Sequence, residues 1–203
     1  ELESIFPISI AEADCMGRVK PVVLLNFMQD VADKSINTCG VDLGYEDIVK
    51  KGLGWFLIRY RVEFDSDLKN IEELKVQTEN RGSQKLNALR DFEVFDNFTG
   101  KRILRATTSW LLVDLQSKSL VNISKDYQKL IKFEKREDDL ILQKLKSPEV
   151  FDSEKVFSVR YDDLDVNNHV NNTVYVGWAL EALDFEFRKN NTLKSLDIYY
   201  KHE

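Results

Sequence analysis

Two cysteines in 203 residues are too few to staple a fold of this length, and neither stands in a C-x-x-C spacing. Cys15 and Cys39 therefore read as structural thiols in a reducing compartment. Histidine is equally scarce. His169 and His202 have no H-x-x-x-H or cysteine-pair neighbours, so the sequence supports no metal site. Basic charge is short as well. The 29 Lys and Arg against 35 Asp and Glu leave a net charge of −6, the reverse of the surplus by which nucleic-acid binders neutralise phosphates. No apolar run reaches the roughly 18 residues that a membrane-spanning helix needs. The residues given open with no secretory or transit segment, and the first is Glu1 rather than Met, so the natural start is expected upstream. What remains is globular composition, 43% hydrophobic and 32% charged, with enough length for a core.

That chain contains a repeat. Ile10 to Asp33, IAEADCMGRVKPVVLLNFMQDVAD, aligns with Tyr161 to Asp184, YDDLDVNNHVNNTVYVGWALEALD, at a constant offset of 151 positions. Asp14 meets Asp165, Gly17 meets Asn168, Val19 meets Val170 and Phe27 meets Trp178. Gly and Asn both tolerate turn conformations. Pro21 meets Asn172, and both residue types mark helix starts. Fixed-offset similarity points to two copies of one unit, each reading strand, polar turn, helix. The first helix is expected at about Val22 to Asn37 and the second at about Thr173 to Lys189. Both are apolar nearly all round, which is the pattern of a buried helix.

Strand signals come after the first helix. Gly54 to Phe64 alternates with Phe56, Ile58, Tyr60, Val62 and Phe64 on one face. ELKVQTEN, LNALRDFEVF and RILRATTSWLLVDL continue the pattern, and DNFTGK (Asp96 to Lys101) reads as a hairpin turn. The fold class is therefore α+β: two tandem units, each a long buried helix wrapped by a curved antiparallel sheet. Unit one spans 1–123. A charged linker spans 124–155, with a short helix expected near Asp138 to Leu145. Unit two spans 156–203 and is expected to continue past Glu203, because only LDIYYKHE comes after its helix. Placing Tyr60 over Tyr200 puts Glu63 over Glu203.

Chemistry concentrates in the second copy. Unit one makes its turn with Asp14, Met16, Gly17 and Arg18, and unit two with Asp165, Asn167, Asn168 and His169. The turn tolerates either set, and the second adds an imidazole able to move protons near neutral pH. In an extended segment Asp165, Asn167 and His169 face one way and converge at a helix N-terminus, whose N–H groups suit an oxyanion. Asn171 and Asn172 read as cap and turn residues. Asp162 and Asp163 read as solvated or turn residues.

DLDVNNHVNNTVYVGWALEAL resembles the signature of the acyl-acyl carrier protein (acyl-ACP) thioesterases, a double hot-dog family of bacteria and plant plastids. LLNFMQDVA, GLGWFLIRYRVE and ALRDFEVFD followed by RATTSWLLVDL are similar too, so the resemblance covers nearly all the chain outside the linker. It implies two tandem hot-dog units and hydrolysis of the thioester between a fatty acyl chain and the carrier's phosphopantetheine arm, ending chain elongation, with no metal or bound cofactor. It implies catalytic roles for Asp165, Asn167, His169 and Glu203. It also implies an acyl tunnel beside the first helix, with Leu25, Met28, Val31, Trp55, Leu57 and Trp110 as lining residues. The partner implied is an acidic acyl carrier protein, for which Lys85, Arg90, Lys101, Arg102 and Arg105 are candidate contacts. A bacterial, cytoplasmic form is expected, as a monomer or homodimer. Rival readings are an acyl-CoA thioesterase of hot-dog type and a non-catalytic acyl-binding module.

Overall fold

The structure, a computed structural model, describes residues 1–38, 42–127 and 132–201. β1 (Leu2–Pro7) leads through a 3-10 turn (Ile10–Glu12) to α1 (Pro21–Thr38). Proline is at home in that first helical position, where its missing N–H costs nothing. α2 (Tyr45–Lys50) precedes three long strands, β2 (Leu53–Phe64), β3 (Glu73–Gln84) and β4 (Asn87–Asp96), and then β5 (Arg102–Asp114). β6 (Ser119–Leu120) and α3 (Ile123–Asp126) close this half. After the linker come a second 3-10 turn (Tyr161–Asp163), α4 (Asn172–Glu181), α5 (Phe185–Asn190) and β7 (Ser195–Tyr199).

All strands join one antiparallel sheet in the order β1-β3-β4-β5-β2-β7, with β6 beside β5. The Asp96–Lys101 turn joins β4 to β5 as expected, the Gly100 N–H bonding the Asp96 carbonyl at 2.9 Å. β7, which the repeat assigns to unit two, pairs directly with β2 of unit one. α1 lays Leu24, Leu25, Met28 and Val31 on the inner face of the sheet, against residues such as Leu74, Val76, Phe92, Val94 and Leu104. Each of these burials contributes on the order of 2 kcal/mol.

Several expectations need correction. The alternation along β2 is interrupted by a bulge between Leu57 and Arg59. Leu53 and Leu57 are buried before it and Tyr60, Val62 and Phe64 after it, so Phe56 and Ile58 do not share the buried face. An extra residue shifts the side-chain phase by one. The expected single helix from Thr173 to Lys189 is two helices. The Asp184 carboxylate accepts the Phe187 N–H at 3.0 Å and caps a new start. In that segment α4 packs on α1 and buries Thr173 and Val176, while Leu183, Phe185 and Phe187 are 46%, 65% and 53% exposed.

The linker forms no helix at 138–145. Instead residues 133–142 cross the outer face of the sheet as a strap. Arg136 forks onto Glu79 with two bonds of 2.7 Å. Asp139 meets Arg81 at 2.7 Å, and the Asp138 carbonyl accepts from Arg105 at 3.0 Å. Arg81 sits at a bulge in β3 with its side chain 4% exposed, between Asp91 and Asp139. Arg102 bridges Asp65 and Glu93, and Arg61 and Arg105 both hold Glu63. No described helix is long and apolar enough to cross a membrane.

Arg81→Met should leave two carboxylates without their buried cation and cost about 3 kcal/mol in urea unfolding; a loss below about 1 kcal/mol would show that the strap carries no such tie. The Arg61 and Arg105 guanidiniums hold the Glu63 carboxyl below the usual carboxylate range. Its contribution is complete above the unfolded value, about 4.3, and is lost as the pH falls through the lower folded value. Glu63→Gln should therefore flatten the acid limb of the stability–pH curve, and an unchanged slope would count against this pairing.

Candidate active site

The two copies of the repeated turn build the same backbone. In both, a 3-10 turn precedes a short antiparallel bridge, Ala13 with Val19 and Leu164 with Val170. The Asp14 N–H bonds the Arg18 carbonyl at 2.8 Å, and the Asp165 N–H bonds the His169 carbonyl at 2.8 Å. The residue at the tip takes a left-handed conformation in each copy, φ 69° at Gly17 and 61° at Asn168. One carboxylate oxygen braces the loop from inside. Asp14 Oδ1 accepts the N–H of Met16 (2.8 Å) and of Arg18 (3.0 Å), and Asp165 Oδ1 accepts that of Asn167 (2.8 Å) and of His169 (3.1 Å).

This geometry corrects the extended segment expected for Asp165 to His169. The chain closes into a loop, and the Asp165 carboxylate brings Asp165, Asn167 and His169 together by drawing in two backbone N–H groups. Asn167 and His169 are exposed and Asp165 is half-buried. The Asn171 N–H is committed to the Asp163 carbonyl at 2.9 Å. The Asn171 side chain caps α4 through the Thr173 N–H at 3.0 Å, as its residue type suggests.

Asp163, expected as a solvated or turn residue, is 1% exposed. It accepts the Arg160 backbone N–H at 2.8 Å and its guanidinium at 2.7 Å, and the Arg160 guanidinium holds its carboxyl below the usual range. Its mate in unit one, Glu12, accepts the Ser9 N–H at 2.6 Å. The acid repeated at this offset was the available signal.

A cavity of about 20 Å³, room for roughly one water, lies between α1, the sheet and the start of α4. Leu25, Leu57 and Trp110 line it together with Tyr60, Phe92, Asn172, Thr173 and Tyr200. Met28 and Val31 lie deeper in the core and do not line it. Trp55 packs in a separate cluster with Leu43, Ile48 and Leu112 and donates to the Leu43 carbonyl at 3.1 Å. Tyr200, which no sequence pattern marks as a lining residue, donates its hydroxyl to the Asn172 carbonyl at 2.8 Å. Burial pushes both Tyr60 and Tyr200 upward, so both stay neutral. Glu203 lies outside the described residues, as do Cys39 and His202.

A larger recess of about 120 Å³ opens on the outer face of the sheet. Its arginines, Arg81, Arg102, Arg105 and Arg136, are each paired with carboxylates. Arg90 is 7% exposed and bonds Thr78 on the inner face. The basic patch expected from Arg90, Arg102 and Arg105 is therefore not a free one.

The chain matches the family model described as "Acyl-ACP thioesterase N-terminal domain" over residues 2–131 and its "C-terminal domain" partner over 146–203. It is 27% identical to an acyl-[acyl-carrier-protein] hydrolase of Cuphea viscosissima over 89% of this chain and 46% of that one. The chain thus spans about half the length of the curated relatives it matches. The crystal structure of an acyl-ACP thioesterase from Bacteroides thetaiotaomicron superposes with a TM-score of 0.80 at 22% identity, covering 98% of this chain and 80% of that one. The 12:0-ACP thioesterase from Umbellularia californica does so with 0.80 at 23%, covering 98% and 81%. The fold is of this hot-dog type.

The left-handed tip generates a stability test. Asn168→Gly should leave stability nearly unchanged, whereas Asn168→Val should cost about 1–2 kcal/mol by thermal unfolding; equal effects would contradict the observed tip geometry.

Proposed function

Because the chain belongs to the acyl-ACP thioesterase family, we propose that it hydrolyses fatty acyl thioesters of acyl carrier protein, releasing a free fatty acid and the carrier thiol. One observation carries this reading. The two turns share a backbone and a bracing aspartate, yet only the second carries an amide and an imidazole, at Asn167 and His169, and it leads into the first turn of α4, whose Asn172 and Thr173 line the cavity.

The reaction is attack of water on the thioester carbonyl. The carbon–oxygen bond forms, the tetrahedral oxyanion collapses, the carbon–sulfur bond breaks and the pantetheine sulfur leaves with a proton. Asp165 holds the loop, so Asn167 and His169 stand at fixed positions to receive the carbonyl and its developing charge. Glu203 acts as general base or water-orienting group. The acyl tail enters the apolar space lined by Leu25, Leu57 and Trp110. At about 20 Å³ that space has to widen by side-chain movement to take it. The organisation is two tandem units, 1–123 and 156–203, joined by the charged linker of 124–155. The setting that fits is a bacterial cytoplasm, with the acidic carrier as partner.

The test is thiol release from a short-to-long series of acyl-ACPs with matched acyl-CoAs. Asn167→Ala and His169→Ala should each lower kcat by about 10²–10³, the cost of removing one oxyanion-hole donor, with the fold retained. Near-normal turnover in both would overturn the assignment. Turnover confined to acyl-CoA would move the substrate class, and carrier binding without turnover would indicate a binding module.

A further inference from the structure

Arg18 occupies the position in the first turn that His169 occupies in the second. Its backbone is anchored in unit one: the N–H bonds Asp14 Oδ1 at 3.0 Å, residue 18 bridges to Lys69, and the next N–H, of Val19, bonds the Leu68 carbonyl at 3.0 Å. Its side chain does something different from an imidazole. Nη1 donates to the carbonyls of Arg188 and Asn191, both at 3.0 Å, and Nη2 donates to that of Lys189 at 3.0 Å. These carbonyls belong to the end of α5 and the residue after it. Helix-end carbonyls lack intrahelical partners and carry the negative end of the dipole. A planar guanidinium can serve three of them at once, which an ammonium on a flexible stem matches poorly.

β7 is the next element after α5. It has five residues, and among the described residues it pairs only with β2. A pairing of five residues is a short ladder, and a slip of one residue turns every side chain over. Ties outside the ladder bracket it. Arg18 holds the chain before the strand. Arg61 pairs with Asp197 in its middle. At its end the Tyr200 N–H bonds the carbonyl of the β2 bulge residue Ile58 at 2.9 Å, and its hydroxyl bonds Asn172 at the start of α4.

We propose that Arg18 is a positioning residue that sets the register of β7 from the other unit, and through Tyr200 sets the rim of the cavity and the first turn of α4. The consequence for turnover rests on the hydrolase reading; the structural role does not.

The experiment is hydrogen exchange on the protein and on Arg18→Ala, followed residue by residue, with acyl-ACP kinetics in parallel. Arg18→Ala should lose about tenfold or more in amide protection over 195–200 while β3 and β4 keep theirs, the signature of a local opening. Low-millimolar guanidinium should restore part of that protection in Arg18→Ala and have no such effect on the parent. kcat should fall about tenfold with KM within about twofold, since positioning rather than binding is lost. Arg18→Lys provides the same readout if the alanine variant does not fold, with a smaller loss. Unchanged protection over 195–200, or a loss spread evenly through β3 and β4, would overturn the proposal. If the parent shows no turnover, the functional reading fails while the exchange result still decides the role of Arg18.

Discussion

Leu24, Leu25, Met28 and Val31 leave water together when α1 settles on the inner face of the sheet. That contact sets the level at which everything else meets. The sheet cannot slide along the helix without exposing one of these side chains, so the strands that carry Leu57, Tyr60, Phe92 and Trp110 are held at fixed heights beside it. α4 packs against α1 as well, and the small cavity is the gap left where α1, the sheet and α4 meet. The candidate catalytic loop immediately precedes α4, so its position is inherited from the same packing.

The two turns show one backbone solution put to two uses. A single carboxylate oxygen drawing in two N–H groups closes the loop in both copies, so the side chains at its third and fifth positions are free to differ. In unit one the fifth position carries a guanidinium that reaches the end of α5. In unit two it carries an imidazole. Asp165 therefore has an architectural duty that Asp14 shares. Any chemical contribution from it is added to that duty.

Much of this was legible beforehand. The constant offset between the copies, the helix starts at Pro21 and Asn172, the Asp96–Lys101 hairpin and the order of the long strands all come from local residue chemistry. The misses have a common cause. The β2 bulge, the Asp184 cap that starts α5, the burial of Asp163 and the docking of the linker all depend on partners distant in sequence or on competition between local bonds. Charge alone made residues 133–142 look like solvated linker. Their partners, Glu79, Arg81 and Arg105, alternate along strands whose outer face had no pattern to reveal them.

The sequence by itself determined the α+β class, the doubled turn and the placement of Asp165, Asn167 and His169 in the second copy, because turns, caps and periodicity are properties of neighbouring residues. Only the tertiary structure decided that β7 joins the sheet beside β2, that Leu25, Leu57 and Trp110 line a shared space while Met28, Val31 and Trp55 do not, and that Arg18 reaches across to α5. Those are matters of which surfaces bury each other, and packing is settled by the whole chain at once rather than by any stretch of it.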